Sequence, residues 1–414
     1  MSTHRHDQQC YPVKAKGRPW TNKHAHSRGF TMVELLIGTF LASVISLAVF
    51  AVFINNSNYY GQQLDQTQVQ SNLRFAMEFL KSEFRNFGRM SVTNTDLRVR
   101  DPLYCGNLQY QGLSHFDNDA GGDNYQVNQA LNRNNILPDR LRVLIDVSGA
   151  TPLSIRSLNG SSVTLVPTQE QGSLEARRLT GLGSEKHFDQ LFDGNSLTRI
   201  TNLSTGRYDL IQTNDAQLVN GIGRITLSNP TCIDLACESG SCVLNPIHWV
   251  EYAVLTHETD TERSYLGRRR LSLEDASILP DTNLVIADYI VDFQVWGHFD
   301  TRGQSSNSIG EKVFARPPNL PKDQEIRDDR GNWDPNQPET QRFEFWAHRL
   351  RGFNIMLAAR AARVDPNLTI NLNRDGMGSQ ERKTILLNRS PENGLAYVNT
   401  LLGAVETPNF YRGD

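Results

Sequence analysis

The segment from Phe30 to Ile54 limits what this chain can be more than any other. It holds one charged side chain, Glu34, and no proline. As a helix rising about 1.5 Å per residue, it is long enough to cross a hydrocarbon core of about 30 Å. A carboxylate inside such a run costs about 2.5–3.5 kcal/mol on insertion scales, so it points to a function and needs a partner. No basic residue follows it in the run. The partner must come from another chain or from a new chain terminus.

Arg28, Gly29 and then Phe30-Thr31-Met32-Val33-Glu34-Leu35-Leu36 resemble the processing site of type IV prepilins. The resemblance implies a dedicated prepilin peptidase that cuts on the cytoplasmic side between Gly29 and Phe30 and methylates the new amino group of Phe30. It also implies that Glu34, fifth residue of the processed chain, pairs with the amino terminus of a neighbouring subunit during assembly. Glycine suits the cut because it lets a protease approach the backbone closely. A secretory signal peptide would carry a shorter apolar region and a small-residue cleavage site behind it, where this chain has Asn55-Asn56-Ser57-Asn58. A plain single-pass anchor explains the length and the basic leader, but neither Glu34 nor Gly29.

Residues 1–29 form a polar leader with six basic residues against Asp7, a net of +5. It has no apolar face to bury. The whole chain has 42 basic and 45 acidic residues; without the leader, 36 basic remain against 44 acidic, a net of −8. The longest basic run, Arg268-Arg269-Arg270, reads as a solvated face beside a strand. Nothing resembles a nucleic-acid footprint.

Helical spacing continues beyond the apolar run through Leu73, Ala76, Met77, Leu80, Phe84 and Phe87, with Gly88 as terminator. The expected organisation is a leader (1–29), a membrane or filament-core helix half (30–54), an amphipathic helix half (55–88) and a head (89–414). A bend or loosening is expected between Asn55 and Gln63. Alternating segments at Arg140–Val147, Ser162–Val166, Tyr208–Gln212, Arg224–Leu227, Trp249–Leu255, Tyr289–Trp296 and Gly352–Ala359 read as strands. The fold class is α+β: one long amino-terminal helix on a large, mainly β head of one sheet or two lobes. Asp117–Asn135, Leu179–Ser196, Ser228–Asn245 and Thr301–Thr340 read as irregular. The last, at that length, is the candidate for a feature peculiar to this chain.

The head resembles that of PilW-like minor pilins. The resemblance is carried by Cys105-Gly106, Asp139-Arg140-Leu141, Tyr208-Asp209-Leu210-Ile211, Tyr265-Leu266-Gly267-Arg268-Arg269, Ala287-Asp288-Tyr289-Ile290-Val291-Asp292-Phe293 and Arg349-Leu350-Arg351-Gly352-Phe353. Lys383–Arg389 looks like the closing strand of that family. J-type pseudopilins of type II secretion share the plan. The resemblance implies a minor pilin that primes or caps a type IV pilus with other minor pilins and the major pilin. It starts in the inner membrane with its head in the periplasm, then joins the pilus at its tip. The alternatives are a J-type pseudopilin and a membrane-anchored periplasmic adhesion or binding module.

Cys10 leaves with the leader, and Cys105, Cys232, Cys237 and Cys242 remain on the oxidising side, where disulfides form. Four cysteines allow three pairings, which the sequence leaves open. The economical arrangement puts one bond inside the Pro230–Pro246 loop and one reaching Cys105. A zinc site with His248 as fourth ligand competes, without the usual C-x2-C knuckle. No cofactor is expected apart from a candidate calcium loop at Asp117, Asp119 and Asp123, residue types that a solvated turn also uses. A second loop, Asn371-x-Asn373-x-Asp375-Gly376, has Arg382 where a bidentate Glu should stand. An enzyme is not expected: His257-Glu258 lacks the second His of H-E-x-x-H, no G-x-S-x-G or P-loop occurs, and His298 and His348 are scattered.

Overall fold

The computed structural model describes residues 30–86, 104–106, 113–116, 138–147, 152–166, 184–233, 237, 240–257, 263–300, 312–314, 350–362, 385–386, 395–396 and 398–406. The chain divides into two compact units, one ending at Gly61 and one beginning at Gln62. Helix α1 runs over 55 residues, Met32–Asn86, helical throughout Asn55–Gln63. In the first unit its side chains are exposed almost without exception, as suits an apolar helix whose surroundings are lipid or other helices. In the second unit Val69, Leu73, Ala76, Met77, Leu80 and Phe84 form the buried stripe that the periodicity predicts, with Val69 in addition. Phe87 and Gly88 lie outside the described residues.

The strands are β1 (Leu113–Phe116), β2 (Arg140–Asp146), β3 (Leu153–Asn159), β4 (Ser162–Leu165), β5 (Ser196–Asn202), β6 (Tyr208–Val219), β7 (Ile222–Leu227) and β8 (Cys242–Thr256). They continue with β9 (Ser264–Arg270), β10 (Leu284–Asp288), β11 (Ile290–Asp300), β12 (Lys312–Phe314), β13 (Leu350–Arg360), β14 (Ile385–Leu386), β15 (Leu395–Ala396) and β16 (Val398–Glu406). A short helix, α2 (Ser184–Leu191), precedes β5. The described pairings form a ten-stranded sheet, a four-stranded sheet in the order β12-β11-β13-β16, and the β14–β15 pair. Each predicted strand is present. Within the large sheet the hydrogen-bonded path β8-β3-β4-β7-β6-β5 returns to β8, so these strands close on themselves. Closure removes their free edges.

Two cores result. One lies under α1 and joins its stripe to Val143 and Tyr252 of the large sheet and to Phe293, Phe353 and Val405 of the four-stranded one. Phe84 touches both sheets, edge-on to Tyr252 at 5.3 Å and tilted against Phe353 at 5.1 Å between ring centroids. The second core holds inward residues of the closed strands, among them Ile155, Ile200 and Ile225, with Phe188 and Phe192 from α2 and the residue after it. That accounts for a helix inside the segment read as irregular. Eight residues are too few to be stable alone, and two buried aromatics at i and i+4 supply the missing energy.

Three further details depart from expectation. Strand β8 starts at Cys242 and runs through Pro246, where the sequence reads a loop. The Pro246 carbonyl accepts from Val147 N at 3.0 Å, so its nitrogen faces the side where β2 has ended and no N–H is needed there. The long closing strand is β16, not Lys383–Arg389, of which only Ile385–Leu386 is described as strand. The run Arg268–Arg270 is not a solvated face: Arg268 Nε bonds Glu83 at 2.8 Å, Arg269 bonds the fully buried Glu251, and Arg270 grips Asp193 with both terminal nitrogens at 2.7 Å. Glu251 also takes Arg142 from β2 at 2.7 Å. Glu83 additionally accepts the Tyr252 hydroxyl, so a carboxylate on α1 is fastened to two strands.

Chain passage between the sheets is fixed at two points. Buried Asp139 donates its N–H to Phe293 O and accepts Val295 N–H at its carboxylate, both at 2.7 Å, which ties the entry to β2 onto β11. Tyr289, between β10 and β11, has φ of 61°, a conformation costing about 1–2 kcal/mol for a residue with a Cβ. Its N–H bonds Ser264 O, its carbonyl accepts Arg360 N–H, and the guanidinium carbons of Arg263 and Arg360 lie 5.5 and 5.2 Å from its ring centroid.

His248 is buried on β8, and its Nε2 lies 2.9 Å from Leu191 O, so the neutral ring donates to the end of α2. Burial, and then the positive charge of Arg270, push its pKa down to about 3. Between the ordinary value of 6.5 and about 3, the unfolded chain carries a proton at this site that the folded chain lacks. Stability therefore falls as pH falls through that window, by up to about 1.4 kcal/mol per pH unit. His248→Gln retains an N–H for Leu191 and does not titrate. Its stability, measured by denaturant unfolding of the solubilised full chain from pH 7 to 4, should decline less steeply than the parent's.

Candidate assembly site at the start of the long helix

Thr31 is the last residue before α1, and the sequence that follows gives it a cap. Its N–H and its hydroxyl both donate to Glu34 Oε2, at 3.0 and 2.9 Å, and its Oγ1 accepts Glu34 N–H at 3.3 Å. This is a reciprocal capping box, Thr-x-x-Glu, which satisfies two of the amide donors that every helix start leaves open. The reading of Glu34 as an assembly carboxylate alone overlooks Thr31. The signal was in the sequence: Thr31 three residues before Glu34, ahead of an apolar run.

Both Thr31 bonds fall on one oxygen. Glu34 Oε1 has no partner among the described residues, and no cation there pairs with the carboxylate. The other polar side chains of the apolar segment are self-contained. Thr39, Ser43 and Ser46 donate back to the carbonyls of Leu36, Phe40 and Ala42 at 2.7–3.0 Å. One half-open carboxylate is thus what the segment offers chemically. Phe30, just before the cap, is 85% exposed. Gly29 and the leader lie outside the described residues.

In the head, Cys105 is bonded to Cys232 and Cys237 to Cys242. The first bond spans 127 residues and is braced by buried Asp209, whose carboxylate accepts Cys232 N–H at 2.9 Å and the Thr231 hydroxyl at 2.8 Å. A Cβ at position 106 would collide with the Asp209 carboxylate and the Tyr104 ring, which is why glycine follows Cys105. The two sulfurs and the Asp209 carboxylate lie within 4.8 Å of one another. With the sulfurs joined, the group is a buttressed disulfide rather than a cation site. The zinc reading fails in the same way: its three cysteines are in disulfides, and the Nε2 of His248 faces Leu191 O. His257 sits 3.1 Å from Asp288, which Arg263 also holds at 2.6 Å. Asp117, Asp119, Asp123, the Asn371–Gly376 loop, His348 and nearly all of Thr301–Thr340 lie outside the described residues.

A family model for the prokaryotic N-terminal methylation motif matches residues 24–50. This is a type IV pilin-like leader and processing segment, and it implies handling by a prepilin peptidase. No curated protein and no solved structure matches the chain. The chain combines this processing segment with one long helix and a mainly β head.

Closing a loop of 127 residues by a disulfide stabilises by about 4–5 kcal/mol in the chain-entropy estimate. The double variant Cys105→Ser, Cys232→Ser should melt well below the parent in calorimetry. Cys237→Ala with Cys242→Ala, which opens a loop of only five residues, should lower the melting temperature less.

Proposed function

We propose that the chain is a minor pilin of the PilW type, cut between Gly29 and Phe30, methylated on Phe30 and drawn from the inner membrane into a type IV pilus whose assembly it primes or caps. The observation that carries this reading is the Glu34 carboxylate, held at one oxygen by its own helix cap and without a partner at the other among the described residues, inside a segment that matches the methylation motif. Its role is assembly, not turnover. While the subunit stands alone, Thr31 supplies hydrogen bonds but no charge. The methylated amino group of a neighbouring Phe30 supplies the charge, worth about 4 kcal/mol for a pair 4 Å apart at an effective dielectric constant near 20. The apolar helices meanwhile exchange lipid for one another. Major and minor pilins are the partners, and the large head, too bulky to repeat along a narrow shaft, favours a place at the tip.

Mass spectrometry of the purified chain should find a methylated phenylalanine, Phe30, at its amino terminus. A chain beginning at Met1 contradicts the proposal. Glu34→Ala should still insert and be cut, yet fall about tenfold or more in the sheared filament fraction, a loss of at least 1.4 kcal/mol. Unchanged incorporation would favour a plain anchored binding module instead. Recovery with a secretion apparatus rather than a pilus would make it a J-type pseudopilin.

A further inference from the structure

Between its apolar run and its buried stripe, α1 carries a stretch that neither the cap nor the core accounts for. Leu35–Ile54 is twenty residues without a charge. As helix that is about 30 Å, the thickness of a hydrocarbon core. Asn55-Asn56-Ser57-Asn58 follows, still helical. Four consecutive residues exceed one turn of 3.6, so their polar side chains ring the helix. No rotation about the helix axis hides this collar on one face. Amides and hydroxyls placed in hydrocarbon without partners are costly, so the collar marks where the hydrocarbon ends.

Tyr59 and Tyr60 stand directly beyond the collar, 62% and 65% exposed. Adjacent on a helix, they cover neighbouring sectors of its surface. Leu64 is the one other large apolar side chain before the buried stripe starts at Val69. Rings in that position are poorly placed for water alone, but an apolar body with a polar tip suits the headgroup layer of a bilayer. The distances agree. The two Cα atoms are five and six residues past Ile54, about 7–9 Å along the axis. Helical side chains lean back toward the amino terminus, which carries the rings over the collar. The headgroup layer fills about 5–8 Å on each side of the core.

We propose that Tyr59 and Tyr60 are a lipid-binding pair whose rings lie among the phospholipid headgroups at the carboxy-terminal end of the span and fix the depth at which α1 waits for assembly. The lipid surface is the occupant because the pair adjoins the apolar run at the spacing that a bilayer sets. The proposal rests on the membrane-inserted stage of the function proposed above, and on α1 only as far as Gly61.

The test uses the full chain with Cys10→Ser, inserted alone and dilute in vesicles of phosphatidylethanolamine and phosphatidylglycerol. The four head cysteines are held in disulfides, so a nitroxide can be attached at Ile45→Cys, Asn56→Cys or Gln63→Cys in turn. Collisions with oxygen, which enters lipid, and with a nickel chelate, which stays in water, report the depth of each label. The Ile45→Cys label should meet oxygen only, the Gln63→Cys label should be open to nickel, and the Asn56→Cys label should fall between them. With Tyr59→Ser and Tyr60→Ser, nickel collisions at position 56 should rise about twofold or more, as about one turn of helix loses its hold on the interface. Tyr59→Trp with Tyr60→Trp should keep the parent's value. An Asn56→Cys label as open to nickel as that at position 63, no rise in the serine pair, or an equal rise in the tryptophan pair would overturn the proposal. So would dipolar broadening between Asn56→Cys labels, the mark of a second helix seated there. An Ile45→Cys label in water would instead remove the membrane-inserted stage itself, and this proposal with it.

Discussion

The head depends on one aromatic wedge. Phe84 is fully buried and packs against Tyr252 of the ten-stranded sheet and Phe353 of the four-stranded sheet. Neither sheet could bury that face alone, since a sheet keeps one hydrophobic side that must find another layer. The stripe from Val69 to Phe84 supplies that layer for both at once. Burial gives no direction, and the polar tether beside it does: Glu83 accepts both Arg268 and Tyr252, which fixes the helix in rotation and in depth. Burial and the Glu83 charge together raise the Tyr252 hydroxyl well above its ordinary range, so the tether holds its proton at any physiological pH.

The arginine run shows how far local reading misleads about charge. Three consecutive guanidinium groups alternate across β9, and each meets a carboxylate in a different place: on α1, on β8 and two residues past the end of α2. Isolated surface pairs contribute little. Glu251 is another matter, fully buried with Arg142 and Arg269 as direct cross-strand neighbours. Removing either arginine would leave a buried carboxylate under-paired, and such losses cost about 3–5 kcal/mol. A sequence window sees three like charges in a row. Only the strand pairing reveals that their partners lie far away along the chain.

What could be read beforehand follows the same division between local and distant causes. The long helix, its buried face and the strands were legible because periodicity of 3.6 and 2 survives in any window. Thr31 is equally legible, as a three-residue spacing to Glu34, but that carboxylate also fits an assembly role, and one residue serving both leaves the cap easy to overlook. Helix α2 was not legible as such, because its stability comes from Phe188 and Phe192 entering a core built by strands on both sides of it in sequence. Strand β8 through Pro246 was hidden because proline argues against a central strand, unless its nitrogen faces the very end of the neighbouring strand, as it does here beyond Asp146. β16 was hidden by adjacent leucines and a glycine, which blur the alternation that its two faces in fact obey.

These causes converge on what the molecule leaves undone. In the apolar segment each hydroxyl is returned to its own helix, and in the large sheet six strands close so that their backbone groups pair within the head. Against that background, an exposed carboxylate oxygen without a partner among the described residues stands out. Glu34 Oε1 is that oxygen, in surroundings where charge is costly and hydrogen bonds to Thr31 do not neutralise it. On the function proposed above, that carboxylate is the group that ties the helix to a neighbouring subunit, because a charge isolated in lipid is unfavourable.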